Sequence, residues 1–458
     1  MSSLNDKLAA ALSSREKRRI RRRLPVSASP VLPSADFTSN DYLSLATSST
    51  LRTAFQRALS TAPKILGSGG SRLLVPTPAH LALENRLERF FGAEKALLFN
   101  SGFDANVAFF SAIPQPGDVI LYDEHIHASV HDGMGASRVD PSSLIKFSHN
   151  SVAALKRLLR KLLHERDDLR DGRASAFVAV ESLYSMDGTF APLHEIVHCV
   201  EELLPRNNGY VIVDEAHATG IYGPQGRGMV AALGLEGRVL ARLHTFGKAL
   251  AGSGAAILTT ELIRDYLLNY GRPLIYTTTL TYANIIGVEC AFDMLENGSA
   301  EVTQLALHLL DLSRYFLELL RPHLQSAPPE LLCLPGHLRT DDHNDSTNSP
   351  SDTSNTSFPP PTPIIPLLTP HPHSLAAHLA SLPQPLFTKA ITWPTVPVGT
   401  SRVRVCLHAG HTRDDVRRLV DGIVDWVQAW VAREKEVERQ WLNVAEGEGV
   451  GVWMESKL

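Results

Sequence analysis

Short apolar runs alternate with helical stretches between residues 51 and 290. Five of these runs have the length and the apolar content of buried strands: Ala96–Phe99, Val119–Tyr122, Ala176–Val180, Tyr210–Asp214 and Ala255–Leu258. Strands that are separated by helices are typical of chains in which both element types share one core. The pattern therefore predicts an α/β domain over residues 51–290.

One helix in this domain has both of its ends marked. Thr77 is a candidate cap, Pro78 suits a first helical turn, and Gly92 suits a helix end. Between them, one face of the predicted helix carries Leu83, Leu87 and Phe90.

The regions outside this domain have other patterns. Residues 1–50 predict an N-terminal arm, in which a short helix ends before a proline-rich stretch. Residues 291–435 predict a C-terminal α+β domain. Residues 340–363 have few apolar side chains before their prolines, so they cannot bury enough surface to offset the entropy of ordering. We expect a disordered insertion there, and a flexible tail over residues 436–458.

Composition excludes several classes of protein. The chain has 458 residues, of which 44% are hydrophobic and 20% charged, as in soluble globular proteins. A net charge of −4 gives no reason to expect nucleic acid as a partner. No apolar run reaches the roughly 20 residues that a membrane span requires. The four cysteines form no C-x-x-C pair and indicate neither a zinc site nor a disulfide framework: Cys199, Cys290, Cys333 and Cys406.

Both ends of the chain carry candidate targeting signals. The stretch Arg15–Pro25 is rich in arginine, like a mitochondrial presequence, but Asp6 and Glu16 interrupt that pattern. The chain ends in Ser456-Lys457-Leu458, a tripeptide that the peroxisomal import receptor binds at a free C-terminus. We therefore expect a peroxisomal location, with the cytoplasm as the alternative.

One lysine stands in an apolar, glycine-rich stretch. Lys248 lies in LHTFGKALAGSG, which offers neither a carboxylate partner nor a charged surface. A desolvated lysine loses part of its preference for the ammonium form, and the neutral amine is a nucleophile that forms Schiff bases. From this stretch alone, the alternative is a surface lysine in a glycine-rich loop.

A carboxylate and a histidine follow the predicted strand Tyr210–Asp214. Asp214 ends that strand, His217 follows it, and Thr245 and Lys248 follow the next strand-to-loop passage. Open α/β sheets bind ligands at the carboxyl ends of their strands, so these side chains could converge on one crevice. A Schiff-base lysine and an aspartate that keeps a pyridine nitrogen protonated are the pair that pyridoxal phosphate requires. Alone, Asp214 could instead cap the following turn.

Two further stretches are weaker candidates. Ser101-Gly102-Phe103 leads from a strand into an apolar helix, whose first N–H groups favour an anion such as phosphate. No cysteine or carboxylate pattern completes a metal site around the next histidines, one of which could instead lie against a cofactor ring: His125, His127 and His131. The glycine loops Gly67–Arg72 and Gly223–Gly228 match neither the P-loop nor the dinucleotide-binding fingerprint.

Eight motifs in order resemble those of the α-oxoamine synthases, fold-type-I pyridoxal phosphate enzymes that condense an amino acid with an acyl-CoA. They are SNDYLSL, GSGGSR, NSGFDAN, HIHAS, SLYSMDG, VDEAHATGIYGPQGRG, TFGKALAGSGA and IYTTT. The resemblance implies a large domain around a mostly parallel central sheet and a smaller C-terminal α+β domain. It also implies pyridoxal 5'-phosphate as the cofactor, no metal, and a homodimer with shared active sites.

The resemblance gives each candidate residue a role toward the cofactor. Lys248 would be the Schiff-base lysine, Asp214 would pair with the pyridine nitrogen and His217 with the ring hydroxyl oxygen. His127 would stack on the ring. Other cofactor contacts in the same chain would be Gly102, Phe103, Ser185 and Thr245. Thr277 and Thr278 would reach the phosphate of a neighbouring subunit.

Four residues would contact the substrates: Arg21, Asn40, Thr395 and Arg404. Arg404 would pair bidentately with the amino acid carboxylate. The basic arm resembles that of the biotin-pathway branch, whose members condense L-alanine with pimeloyl-CoA to 8-amino-7-oxononanoate, CoA and carbon dioxide. Arg21 would then face the distal carboxylate of the pimeloyl chain, and the freed Lys248 amine would remove the Cα proton of L-alanine. The alternative for the arm is a solvated basic helix end.

Departures from the family pattern leave other substrates open. Thr392-Trp393 replaces a common Arg-Pro, GKALAG replaces a usual glycine-aromatic-glycine, and VPTPAH is nearer to the glycine-using relatives. The alternatives are a 5-aminolevulinate synthase, a 2-amino-3-ketobutyrate CoA ligase, or an enzyme that uses a secondary-metabolite acyl-CoA. An alternative of another class is a non-catalytic family subunit, which the presence of Lys248 disfavours.

Overall fold

A computed structural model describes residues 3–18, 20–24, 35–297, 299–339 and 360–447. Most of the predicted insertion, the proline-rich part of the arm and the terminal Ser456-Lys457-Leu458 therefore lie outside the described residues.

Helices and strands alternate through the first two thirds of the chain. The helices are α1 Leu4–Lys17, α2 Ser49–Thr61, α3 Pro78–Phe91, α4 Gly102–Ala112, α5 Ala128–Gly135, α6 Val152–Glu165, α7 Asp167–Arg170, α8 Leu193–Leu203, α9 Met229–Ala232, α10 Glu261–Tyr270, α11 Arg272–Ile275, α12 Tyr282–Glu296, α13 Ser299–Gln325, α14 Pro372–Ala380 and α15 Arg413–Gly447. The strands are β1 Ala35–Asp36, β2 Lys95–Phe99, β3 Val119–Asp123, β4 Leu144–Phe147, β5 Ala176–Glu181, β6 Gly209–Asp214, β7 Ala241–Thr245, β8 Ala255–Thr259, β9 Ile364–Leu368, β10 Leu386–Phe387, β11 Lys389–Ile391 and β12 Arg402–Cys406.

The large sheet confirms the predicted α/β architecture. Within the described residues it has seven strands in the order β2-β8-β7-β6-β5-β3-β4. Neighbouring strands are parallel except at β8, which is antiparallel to both β7 and β2. All five strands that the apolar runs predicted are present. Parallel neighbours need long crossovers, and helices supply them here.

Both faces of this sheet are covered by helices. Along β3, Val119 and Leu121 face the core that includes α3, α6, α8 and α12, whereas Ile120 faces the core that includes α4, α5, α10 and α11. Because both faces are buried, successive strand residues must all be apolar. This explains why the strands were visible as continuous apolar runs.

Helix α3 begins and ends as its signals predicted. Pro78 is its first residue, and Gly92 follows it with a left-handed φ of 61°, a conformation that glycine adopts without steric cost. Thr77 occupies the cap position, but within this described segment its side chain forms no capping hydrogen bond.

The C-terminal part of the chain forms a smaller unit. Within the described residues, β11-β12-β9 form an antiparallel sheet, and the long helices α13 and α15 pack against each other. The predicted border at residue 290 falls inside α12, which therefore joins the two parts. The loop after β5 also meets this unit closely, since a Cβ at Gly188 would overlap the carbonyl oxygen of Ile364.

Three segments differ from the predicted arm, insertion and tail. Residues 35–47 are packed rather than extended from the body, because β1 pairs with β10 and Phe37 and Tyr42 are buried. Residues 360–363, the end of the predicted insertion, are also packed, since Tyr222 donates a hydrogen bond to the carbonyl of Pro361. Helix α15 continues through residues 436–447, where helix-favouring residues such as Glu, Arg and Gln extend it.

No helix in the described ranges is long and apolar enough to cross a lipid bilayer.

Candidate active site

A cavity of about 160 Å³ opens at the carboxyl edge of the large sheet. It is lined by Gly102, Phe103, Asn106, His127, Glu181, Asp214, Ala216, His217, Leu243, Thr245 and Lys248. These residues lie on or just beyond β5, β6 and β7, in the loop after β3, or on helix α4, which follows β2. Parallel strands bring their carboxyl ends to one edge, so residues far apart in sequence meet here. We call this space the inner cavity.

Lys248 lies deep in the inner cavity. Its Nζ is 2.9 Å from His217 Nε2. Burial lowers the pKa of Lys248 to about 8, because a buried ammonium loses its hydration, while the carboxylates of Asp214 and Glu181 oppose the shift. A much larger share of neutral amine is therefore present near neutral pH than in a surface lysine. The structure thus places Lys248 not on the surface but in a buried position, where a neutral amine could act as a nucleophile or base.

Asp214 is held by two donors. Its Oδ1 accepts from the backbone N–H of Ala216 at 2.9 Å, and its Oδ2 accepts from Asn106 Nδ2 at 2.9 Å. Asn106 also donates to Ser129 Oγ at 3.0 Å, and Ser129 lies 2.7 Å from His127 Nδ1. One network therefore orients both the carboxylate and the imidazole on which the cofactor ring would lie. No pattern in the sequence pointed to Asn106 or Ser129 separately, although both lie inside the family motifs NSGFDAN and HIHAS.

The inner cavity has the donor set that pyridoxal phosphate needs. It combines an amine, a fixed carboxylate, a neutral imidazole and the N-terminus of α4, which Ser101 caps through the N–H of Asp104. A Cβ at Gly102 would point at Leu243 and Thr245, 3.5 and 3.6 Å away, and would occupy the wall where α4 begins. The site fits the cofactor: Lys248 and Asp214 would hold the aldehyde and the ring nitrogen, and the α4 terminus would favour the phosphate.

Glu181 also lines the inner cavity, although no pattern in the sequence pointed to it. It is the last residue of β5 and lies directly opposite Asp214 in the β5–β6 ladder. Among the described residues its Oε1 has no hydrogen-bond partner, although the residue is 3% exposed. Burial, and then the neighbouring charge of Asp214, raise the pKa of Glu181 well above 4.5. Burial therefore favours the neutral form of this carboxyl, and its Oε1 lies free at the cavity wall.

An outer cavity of about 620 Å³ continues from the inner one and shares His127, His217 and Lys248 with it. Four predicted residues line it: Asn40, Ser185, Thr395 and Arg404. Arg404 Nε donates to the carbonyl of Ser185 at 2.6 Å, and Arg404 Nη2 donates to Asn40 Oδ1 at 2.9 Å. Among the described residues these bonds use Nε and Nη2, so Nη1 stays available to a carboxylate in the cavity.

The structure does not bring Arg21 to either cavity. Arg21 is exposed and pairs with Glu16 at 3.4 Å, whereas its neighbour Arg22 lines the outer cavity. The guanidinium of Arg18 lies 5.6 Å from the ring centre of Trp393, which also lines the outer cavity. The arm thus reaches the cavity mouth, but a different arginine points inward, because adjacent side chains project in different directions.

Thr277 and Thr278 lie outside both cavities. Asn100 Nδ2 bonds to Thr277 Oγ1 at 3.2 Å and to the carbonyl of Thr278 at 2.7 Å. Asn100 directly follows β2, so these threonines sit beside the strand end that leads to Gly102. Their predicted contact with a neighbouring subunit stays a prediction.

The other histidines of the predicted cluster serve different contacts. His125 pairs with Asp187 at 3.1 Å and its ring stacks on His149, while the edge of Tyr122 meets His131. In the part of the chain that the structure describes, no cluster of histidine, cysteine, aspartate or glutamate could hold a metal ion.

Comparisons with known proteins identify the family and the fold that this chain shares with them. Residues 34–423 match the family described as aminotransferase class I and II. The chain is 44% identical over 428 residues to the 8-amino-7-oxononanoate synthase of Emericella nidulans, covering 93% of this chain and 96% of that protein. It is 36% identical over 413 residues to the aminoacyl transferase sphA of Aspergillus fumigatus, covering 88% and 83%. The solved structure of Sphingomonas wittichii serine palmitoyltransferase matches with a TM-score of 0.74 at 22% identity, covering 93% and 99%, which shows a shared fold.

Proposed function

The chain belongs to the class I and II aminotransferase family and, within it, to the α-oxoamine synthases, and from this premise we propose that it is a biotin-pathway enzyme. The proposed reaction condenses L-alanine with pimeloyl-CoA to 8-amino-7-oxononanoate, CoA and carbon dioxide. Similarity to the Emericella nidulans enzyme along 93% of the chain supports this reaction. The observation that carries it is the convergence of Lys248, Asp214 and His217 in the inner cavity, with Arg404 at the adjoining outer cavity.

Pyridoxal phosphate is the cofactor, and when bound it supplies an electron sink for the carbanion at Cα of the amino acid. Lys248 would hold it covalently between turnovers and, once released, would be the base that takes the Cα proton. Its lowered pKa of about 8 leaves part of the amine neutral for this task. Asp214, whose orientation is fixed by two donors, would be the partner of the ring nitrogen.

The amino acid and the acyl-CoA would contact different parts of the two cavities. Arg404 would hold the amino acid carboxylate through Nη1, on an arginine already oriented by Ser185 and Asn40. The acyl-CoA would enter through the outer cavity, past Thr395 and Trp393. We assign the distal carboxylate of the acyl chain to Arg22 rather than Arg21, since Arg22 lines this cavity.

CoA release by the cofactor-loaded protein tests the reaction. L-alanine, glycine and L-serine would each be combined with pimeloyl-, succinyl-, acetyl- and palmitoyl-CoA. We expect alanine with pimeloyl-CoA to give the highest kcat/KM. The Lys248→Ala variant is the inactive control for CoA release. Preference for glycine with a short acyl-CoA would keep the family and the mechanism but overturn the proposed substrates.

A second acyl-CoA remains a candidate because of one structural feature. The exposed Trp393 at the outer cavity departs from the family pattern, and the sphA relative shares 36% identity. A large apolar side chain at the entrance suits a long aliphatic acyl chain. Preference for palmitoyl-CoA in the same assay would favour that function.

We infer that the active protein is a homodimer. Leu66, Leu74 and Tyr276 are 75%, 74% and 73% exposed, and hydrogen bonds from Thr279 N to Gly70 O and from Tyr282 N to Leu66 O join their segments. So much exposed apolar surface beside Thr277 and Thr278 suits a second copy of the chain. Light scattering coupled to size exclusion should give twice the mass of one chain.

We also propose a peroxisomal location. The terminal Ser456-Lys457-Leu458, which lies outside the described residues, supports it. A full-length protein with an N-terminal fluorescent tag should co-localise with a peroxisomal marker in yeast. The same protein without the last three residues should be cytoplasmic, and identical distributions would overturn the proposal.

A further inference from the structure

The Tyr42 hydroxyl contacts three groups of the active site. In the motif SNDYLSL, which contains Tyr42, only Asn40 was predicted to be a site residue. Its side chain is 0% exposed. Its hydroxyl lies 2.7 Å from His217 Nδ1, 3.2 Å from Asn40 Oδ1 and 3.4 Å from Arg404 Nη2. The segment that carries it is held against the C-terminal unit, since the N–H of Ala409 donates to the carbonyl of Tyr42.

The donors and acceptors around this hydroxyl decide where its proton goes. Arg404 can only donate, so it uses a lone pair of the Tyr42 oxygen. Asn40 Oδ1 already accepts from Arg404 at 2.9 Å, and its contact with Tyr42 is the longer one. The shorter contact is with His217 Nδ1. Of the two acceptors within reach of the Tyr42 hydroxyl, Nδ1 is the nearer, which favours donation of the Tyr42 proton to His217.

His217 carries one ring proton at neutral pH. Burial, followed by the positive charges of Lys248 and Arg404 and by His127, lowers the pKa of His217 well below 6.5. With Nδ1 accepting from Tyr42, the single proton must be on Nε2. That nitrogen is the one 2.9 Å from Lys248 Nζ, so in this tautomer the Nε2–H is donated to the neutral form of the lysine amine.

We propose that Tyr42 is a positioning residue that fixes the proton of His217 on Nε2, the nitrogen that faces Lys248 and the bound cofactor. This inference rests on the proposed function, because His217 would donate from Nε2 to the ring hydroxyl oxygen of pyridoxal phosphate. Such a donor stabilises negative charge on that oxygen and so disfavours protonation of the lysine–cofactor linkage.

The visible absorbance of the bound cofactor, followed as a function of pH, tests this role directly. Tyr42→Phe removes the hydroxyl, so His217 can take either tautomer and loses part of its donation. We expect the midpoint of the absorbance titration to move to higher pH by about half a unit to one unit, the equivalent of one weakened hydrogen bond. Tyr222→Phe is the matched control, since Tyr222 is buried and donates to Pro361 O at 2.7 Å but lines neither cavity. Its midpoint should stay at the wild-type value.

A second variant keeps the ring and works in the opposite direction. 3-Fluorotyrosine in place of Tyr42, introduced by nonsense suppression, has a more acidic hydroxyl and is a stronger donor to Nδ1. The midpoint should then fall, and this result decides the matter if Tyr42→Phe does not fold. An unchanged midpoint in the fluorotyrosine protein, or a fall in Tyr42→Phe, would overturn the inference. The titration needs only the bound cofactor, so failure of the proposed substrates would appear separately, in the CoA-release assay.

Discussion

The proposed chemistry depends on Lys248. Lys248→Ala removes both the covalent attachment of the cofactor and the base at Cα. We expect turnover to fall by at least about a thousandfold. The cofactor should still bind through Asp214 and the α4 terminus, without the absorbance of the lysine-linked form. Activity within tenfold of wild type would show that another group is the base.

Glu181 gives a prediction on stability as a function of pH. Its pKa in the folded protein is raised above 4.5 by burial and by Asp214, so the folded state binds this proton more tightly than the unfolded state does. The stabilisation is complete below the unfolded pKa and is lost as pH rises through the folded pKa. Glu181→Gln is neutral at every pH and keeps the shape of the acid. Its free energy of unfolding should therefore increase relative to wild type as pH rises above 4.5.

Urea unfolding at a series of pH values measures this difference. The exposed Glu261→Gln is the control, and its difference from wild type should be small throughout. A Glu181→Gln advantage that shrinks with rising pH would mean that Glu181 is ionised in the folded protein.

At the scale of elements, one ion pair joins the small sheet to the large domain. Arg402, the first residue of β12, donates from Nη1 to Asp187 at 2.5 Å and to the carbonyl of Met186 at 3.1 Å. Its side chain is 4% exposed. Burial opposes ionisation of Asp187, but the hydrogen bond from His125 and the charge of Arg402 hold the pKa of Asp187 well below its ordinary range. This pair therefore fixes how β12, and with it Arg404, meets the cavity.

Arg402→Ala should lower the free energy of unfolding by about 3 kcal/mol, because it leaves a largely buried carboxylate without its cation. Arg238→Ala is the comparison: that arginine pairs with Glu201 at the same distance of 2.5 Å, but the side chains are 36% and 47% exposed. We expect a loss of less than about 1 kcal/mol there.

Since the pKa of Asp187 is depressed, the stabilisation exists above its unfolded value of 3.8 and should disappear as pH falls below it. Equal losses in the two variants would refute the assignment.

At the scale of the whole molecule, shared active sites can be tested by mixing defects. Lys248→Ala disables one subunit's amine, and Thr278→Glu places a charge that repels a phosphate held by the neighbouring subunit. Each homodimer should be inactive. A heterodimer purified by two different tags has one site with both defects and one intact site, so it should show about half the wild-type activity. No recovery in the heterodimer would mean that Thr278 serves the site of its own chain.

The sequence alone determined the central sheet and most of the inner cavity. Strands buried on both faces must be apolar along their whole length, so β2, β3, β5, β6 and β8 were visible as runs. A parallel sheet places its strand ends at one edge, so Asp214 and Lys248 could be expected in one crevice before any contact was known. The lysine itself was marked by the absence of charged neighbours in the chain.

Only the tertiary structure decided which side chains complete that crevice. Tyr42 and His217 are 175 positions apart, and their contact depends on how the segment before α2 packs against the C-terminal unit. Glu181 follows the predicted strand Ala176–Val180, and only the β5–β6 register placed it opposite Asp214. Arg22 rather than Arg21 lines the cavity because the direction of the arm's backbone selects between neighbouring side chains. Local patterns encode elements and their edges, whereas contacts between distant residues are set by the packing of the whole chain.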